Sequence, residues 1–152
     1  MVTLRKTLIN ELKTRLETYT WSVLESPEVF TGRTRFDPDE DPLPLITIVA
    51  GIEDGTEQTA YQTNFRTMPL DVSALISIED AKEAGDIGED VFGELEKACF
   101  FGGPLTIADE NYFLDFKGGG IVDYPDQLGP AMLTITVALE LAYETGFGQP
   151  DI

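Results

Sequence analysis

A few groups of residues in this sequence have types and spacing that could do chemistry. Asp37, Asp39 and Asp41 stand where the first three ligands of a calcium-binding loop would stand. That loop needs a glycine next and a glutamate at its end, and here Pro42 and Ile48 occupy those places. The triplet therefore reads as part of an acidic surface loop. Gly118-Gly119-Gly120 offers backbone N–H groups of the kind that cradle phosphate. No Gly-Lys-Ser/Thr follows and no helix begins, so a hairpin turn is expected there. Cys99 is the single thiol, and with no histidine to activate it, it reads as a small core residue. Carboxylate pairs such as Asp71 with Asp115, or Glu140 with Asp123, have the types needed for acid–base work. With 28 acids in the chain, chance proximity explains them more simply. The missing histidines and lone cysteine exclude the usual zinc sites, haem ligation and histidine-based triads. No catalytic, metal or cofactor residue is assigned, and a non-enzymatic function is expected.

The elements that would position these groups follow from periodicity. The strongest signal is Ala131–Thr145, where Leu133, Ile135, Val137, Leu139, Leu141 and Tyr143 alternate with Thr134, Thr136, Glu140 and Glu144. Period two means a strand with one buried and one wet face. Fifteen residues at ~3.3 Å each span about 50 Å, far more than the ~15 Å radius of gyration of a domain this size. The strand must bend, bulge or project, and projection at one end is the expectation. Residues 3–19 carry Leu4, Leu8, Leu12 and Leu16 on one helical stripe, with Arg5, Lys6, Lys13 and Arg15 elsewhere on the surface. A strand is expected over Val29–Phe36, interrupted by Gly32. Leu45–Ile52 reads as a central strand buried on both faces. Residues 53–64 form a loop or the tip of a long hairpin, and Phe65–Ser77 a further alternating strand. Pro69 within it calls for an edge, a strand start or a bulge. A second helix places Ile87, Val91, Leu95, Ala98 and Cys99 on one face, with Asp86 and Glu89 as a capping box and Gly102-Gly103-Pro104 as its stop. Short strands follow over 105–124. The fold class is α+β: a mainly antiparallel or mixed sheet, two helices on one face, and a long C-terminal strand, all in one domain over 1–152.

Charge narrows the function further. The chain has 152 residues and a formal net charge of -18. Residues 1–36 hold six of the ten basic residues and four acids, which leaves four basic residues among 24 acids in the rest. A surface this acidic repels nucleic acid and anionic membranes, so groove-reading DNA binding is excluded. Three readings of the charge stay open: solubility or adaptation to salt, a surface that must not hold DNA passing close by, and a surface that imitates DNA. No apolar run reaches the ~20 residues of a membrane helix, and the charged N-terminus has no secretory core. The single cysteine fits a reducing compartment.

Three stretches carry a family resemblance: LRKTLINELKTRL, GRTRFDPDEDPLPLITIVAGIED and AMLTITVALELAYET. A leading helix, a proline-marked strand after an acidic loop, and a closing Thr-rich amphipathic strand resemble the tail terminator proteins of long-tailed bacteriophages, the lambda-like minor tail protein U group. The resemblance implies a structural virion protein, a homo-oligomeric ring, typically a hexamer, on the head-proximal end of the tail tube. Such a ring ends tube polymerisation and offers the face that joins the head. Its partners would be other copies of itself, the tail tube protein and a head–tail connector protein. DNA would pass through its channel without specific binding, and no cofactor or membrane is implied. The expected location is the virion tail, and the host cytoplasm during assembly. A closed ring needs two different complementary patches per copy. The candidate contact residues are the basic Arg5, Lys6, Lys13 and Arg15, the loop residues Asp37, Asp39, Asp41, Glu57 and Tyr61, and Glu140 and Glu144 on the last strand. Another head–tail connector or neck protein and an acidic DNA-mimic inhibitor are the alternatives.

Overall fold

The computed structural model describes residues 3–32, 43–52, 54–58, 63–78, 83–123 and 131–146. The first helix, α1, is Leu4–Thr18. Thr3 caps it, its side-chain oxygen accepting from the Lys6 N–H at 3.1 Å, which satisfies one donor that the first turn leaves open. Leu4, Leu8, Leu12 and Leu16 are all buried, as their spacing requires. The Trp21 indole closes the other end by donating to the Leu16 carbonyl at 2.9 Å.

The sheet is built on one long pair. Strand β1 (Glu28–Thr31) runs parallel to β2 (Leu45–Ala50). Strand β3 (Asp54–Gln58) and β2 both pair antiparallel with β4 (Thr63–Ile78), one after the other along its length. Helix α2 (Ala84–Phe100) follows, then a separate hairpin of β5 (Leu105–Ile107) and β6 (Glu110–Tyr112). Strand β7 (Leu114–Asp123) pairs with β8 (Ala131–Gly146), which runs against β4 without a register break from Thr63↔Gly146 to Ile78↔Ala131. The order is β1-β2-β4-β8-β7, with β3 beside β4. This is the expected α+β fold, with a mixed sheet and a long last strand.

Period-two burial fixes which face is covered. Met68, Leu70, Val72, Ala74 and Ile76 of β4 are buried, and so are their ladder partners Leu141, Leu139, Val137, Ile135 and Leu133 of β8. Helix α1 packs on β1 and β2, while α2 packs on β8, β7 and β4. All of these residues join one core. The opposite face has no helix over it among the described residues. There Ser73 and Thr136 sit directly across from one another, and their hydroxyls share a hydrogen bond of 2.7 Å.

Strand β8 outruns its neighbour at one end. Strand β7 reaches only as far as Leu114↔Leu141, so Ala142–Gly146 pair with β4 alone. Strand β3 lies on the other side of β4 at this end. The result is a three-stranded extension, and the polar stretch after Ile52 becomes the outer strand of a hairpin.

Several expectations need correction. Pro69 lies inside β4, opposite Glu140 of β8 on one side, while on its other side it sits just past the end of β2, where the ladder is interrupted before β3. Its carbonyl accepts from the Gly51 N–H at 2.9 Å. The N–H and C=O of one strand residue point the same way, so the missing donor faces the gap where β2 gives way to β3. A Cβ on Gly51 would lie 2.8 Å from the proline ring, so only glycine lets the chain leave β2 at that point. The strand expected over Leu45–Ile52 is an interior one but ends at Ala50, and only one face of it is fully covered: Ile46 and Ile48 are buried, and Thr47 and Val49 are half-exposed. The strand after Pro27 ends at Thr31, and residues 33–36 lie outside the described residues.

Helix α2 begins earlier than its sequence pattern predicts. Glu83 holds the cap position without a side-chain cap bond, and Asp86 lies within the first turn. The capping box with Glu89 is therefore not formed, although Asp86 still favours the positive end of the helix dipole. The glycine run is not a turn. Gly118, Gly119 and Gly120 lie within β7 with φ of 127°, 137° and 144°, a region open only to glycine. A Cβ on Gly119 would collide with the Thr136 carbonyl oxygen and come within 3.0 Å of the Phe92 ring on α2. The run lets an edge strand lie flat under the helix. The true turn in this region is Ala108-Asp109, with φ of 51° and 66°, a two-residue connection of the kind that matches strand twist.

Candidate functional site

The four basic residues of α1 have different fates. Arg15 is directed inward. Its guanidinium donates to the carbonyls of Cys99 and Gly103 at 2.8 Å each and of Pro104 at 2.9 Å. The Cys99 carbonyl is one that the C-terminus of α2 leaves open, and the other two belong to the chain that follows the helix. Burial lowers the Arg15 pKa, while the nearby Cys99 and Glu11 act the other way, and a guanidinium stays charged throughout. Lys13 lies 3.9 Å from Glu17, one helical turn on. Arg5 donates to the Gly51 carbonyl at 3.3 Å. Lys6 has its ammonium at the exposed surface.

Arg5 and Lys6 line a cavity of about 450 Å³ between the first turns of α1 and the ends of β1 and β2. Ile9, Asn10, Thr31 and Ala50 contribute to its wall, and no acid does among the described residues. A second cavity, of about 310 Å³, lies between the end of α1 and α2, and Tyr19, Val23, Glu89, Asp90 and Lys97 line it. The Tyr19 ring stands edge-on to Trp21 at 4.9 Å and to Phe101 at 5.4 Å, and Phe101 is 63% exposed.

One charged residue escaped the reading of the sequence. Glu94 is buried at the edge of the second cavity. Its two oxygens accept from the Ser22 N–H and hydroxyl at 2.7 and 2.6 Å, and from the Val23 and Leu24 N–H groups at 2.9 Å each. Burial alone would raise its pKa, but these bonds outweigh burial and hold it below the ordinary carboxylate value. The carboxylate thus fastens the connection after α1 to α2. The signal was present: Glu94 falls on the stripe formed by Val91, Leu95 and Ala98, where an acid must find donors.

The remaining candidates are dispersed. Asp37, Asp39, Asp41 and Tyr61 lie outside the described residues. Glu57 is in β3, opposite Phe65 of β4, beside a register shift. Glu140 faces Asp115 across the β7–β8 ladder, and Lys117 lies 3.7 Å from Glu140, which offsets like charges placed opposite one another. Glu144 is exposed on the overrunning end of β8. The imagined acid–base pairs do not form. Asp71 and Asp115 have β8 between them, and Asp123 pairs at Thr134, six residues along β8 from Glu140.

Cys99 is buried, and desolvation pushes its thiol up to about 12, so it is a neutral side chain at ordinary pH. Among the described residues no group of three or more His, Cys, Asp or Glu side chains is placed to hold a metal ion. Among the described residues no helix is long and apolar enough to cross a membrane. Compared with known proteins, the chain matches no family model and no curated protein.

Proposed function

We propose that this chain is a structural virion protein of the tail terminator type, a ring of copies that caps the head-proximal end of a phage tail tube. The observation that carries the reading is the overrunning end of β8. Ala142–Gly146 pair with β4 on one side and, among the described residues, with no strand on the other, although β6 comes close to β8. A strand edge of this kind is a place for another chain to pair. The acidic surface supports the reading in a second way, because DNA passing through a ring of such copies would be repelled from its wall. The tail tube protein and a head–tail connector protein are the partners proposed for the two rims of the ring.

The test is light scattering and negative-stain imaging of the purified chain, followed by addition to preassembled tail tubes. A ring of about six copies with a central hole, or capped tubes that no longer grow, is the expected result. A chain that stays monomeric and leaves tube growth unchanged would overturn the proposal. Competition with DNA for a DNA-processing enzyme would replace it with the inhibitor reading.

A further inference from the structure

The two cavities at the ends of α1 complement one another. The first has an apolar wall, Ile9 and Ala50, with Arg5 and Lys6 at its rim. Just beyond it Ile52 stands 91% exposed. No carboxylate pairs with the Lys6 ammonium among the described residues, and Arg5 is ordered at the rim by its bond to the Gly51 carbonyl. The second surface is a cavity lined by Tyr19, Val23, Glu89, Asp90 and Lys97, and Phe101 extends it through its edge-on contact with Tyr19. Val23 and Phe101 are 45% and 63% exposed. An apolar centre with aromatic anchors inside a charged rim is the anatomy of a protein–protein contact. Among the described residues the first rim is basic, and at the second the acids outnumber the one lysine.

We propose that these two surfaces bind one another between copies: the Arg5–Lys6 cavity of one copy receives the Glu89–Asp90–Phe101 surface of the next. The occupant is a second copy of this chain, because the chain itself carries both halves of the match. One copy cannot close its own pair, since Lys6 and Tyr19 lie about 20 Å apart along the helix at 1.5 Å per residue. Both copies are acidic overall, but a screening length of about 8 Å at physiological salt confines that repulsion while leaving touching rims attractive. Two unlike patches make a head-to-tail contact that repeats from copy to copy and closes into a ring when the rotation per copy divides a full turn. This deepens the ring reading above and rests on it for closure.

The experiment mixes unlabelled and 15N-labelled full chain, treats the mixture with a carbodiimide that joins lysine amines directly to carboxylates, and reads mixed-isotope peptides by mass spectrometry. Links from Lys6 of one copy to Glu89 or Asp90 of another are expected. They should fall about tenfold in the Val23→Ser, Phe101→Ser variant, which keeps every linkable group but loses the apolar anchors. Lys6→Glu alone, and Glu89→Lys with Asp90→Lys alone, should each abolish self-association, and the three changes in one chain should restore it. Mixed-isotope links that never involve Lys6, or a swapped chain that fails to recover while its far-UV circular dichroism and melting match the parent, would overturn the contact. A chain that caps tubes without Lys6 links loses this contact alone. A chain that gives the links but never caps tubes loses the tail reading alone.

Discussion

The two ends of α1 carry the same kinds of residue and use them in opposite ways. At its C-terminal end Arg15 is bound to three carbonyls at and just beyond the end of α2, and Glu94 of α2 is bound to the chain that leaves α1. At its N-terminal end Arg5 and Lys6 stand around an open cavity. The difference follows from what surrounds each charge. Arg15 meets the unsatisfied carbonyls of a helix end, and Glu94 meets consecutive unsatisfied N–H groups. Lys6 meets no such group among the described residues. A charge count treats these residues alike, whereas their hydrogen bonds separate a locked joint from a surface able to bind.

That contrast predicts a graded series of effects. The largest belongs to Glu94→Ala, which leaves the N–H groups of Ser22, Val23 and Leu24 without their acceptor. A loss of about 3 kcal/mol is expected by chemical denaturation, and a loss under about 0.5 kcal/mol would erase the distinction between the two ends. Arg15→Met comes next. It keeps much of the apolar stem but strands the three carbonyls, with an expected cost of about 2 kcal/mol in the same measurement.

The third effect is one of pH. Glu94 is held below its ordinary value of 4.5 in the folded chain. Its contribution is therefore complete above that value and is lost as pH falls through the lower folded value. The Glu94→Gln variant should lack this part of the acid-side decline, seen as a shallower drop of melting temperature between about pH 5 and pH 3. The smallest effect is that of Lys6→Glu on stability, a change within about 0.5 kcal/mol, although the same variant should lose self-association. Unfolding in all these variants can be followed through Cys99. Its buried thiol, pushed up to about 12, should stay silent to thiol reagents until the chain opens.

The sequence made the main elements legible wherever apolar residues kept a strict period. Leu4 to Leu16 and the matched stripes of β4 and β8 were all visible, because each stripe has a single way to be buried. What stayed hidden depended on partners distant in the chain. Pro69 is tolerated inside the sheet because β2 ends beside it at Gly51, a fact of topology. The glycine run looks like a turn until Phe92 and the Thr136 carbonyl are in place around it. Asp86 has cap chemistry, but the helix starts before it because the residues upstream also accept helical geometry. Ala108-Asp109 lacks the usual asparagine–glycine signature of a tight turn. Of the candidate site, the basic start of α1 was legible, whereas the acidic and aromatic surface at its far end depends on α2 folding back to bring Phe101 against Tyr19.

The glycines of β7 have one more consequence. This strand is an outer rim of the sheet, and such a rim is ordinarily a template on which stray strands accumulate into aggregates. Three successive backbone units at positive φ, with register shifts on both sides of them, turn the peptide groups out of the even row that an incoming strand would need. The rim is blunted without a proline. Strand-by-strand growth on this side of the molecule is thereby disfavoured.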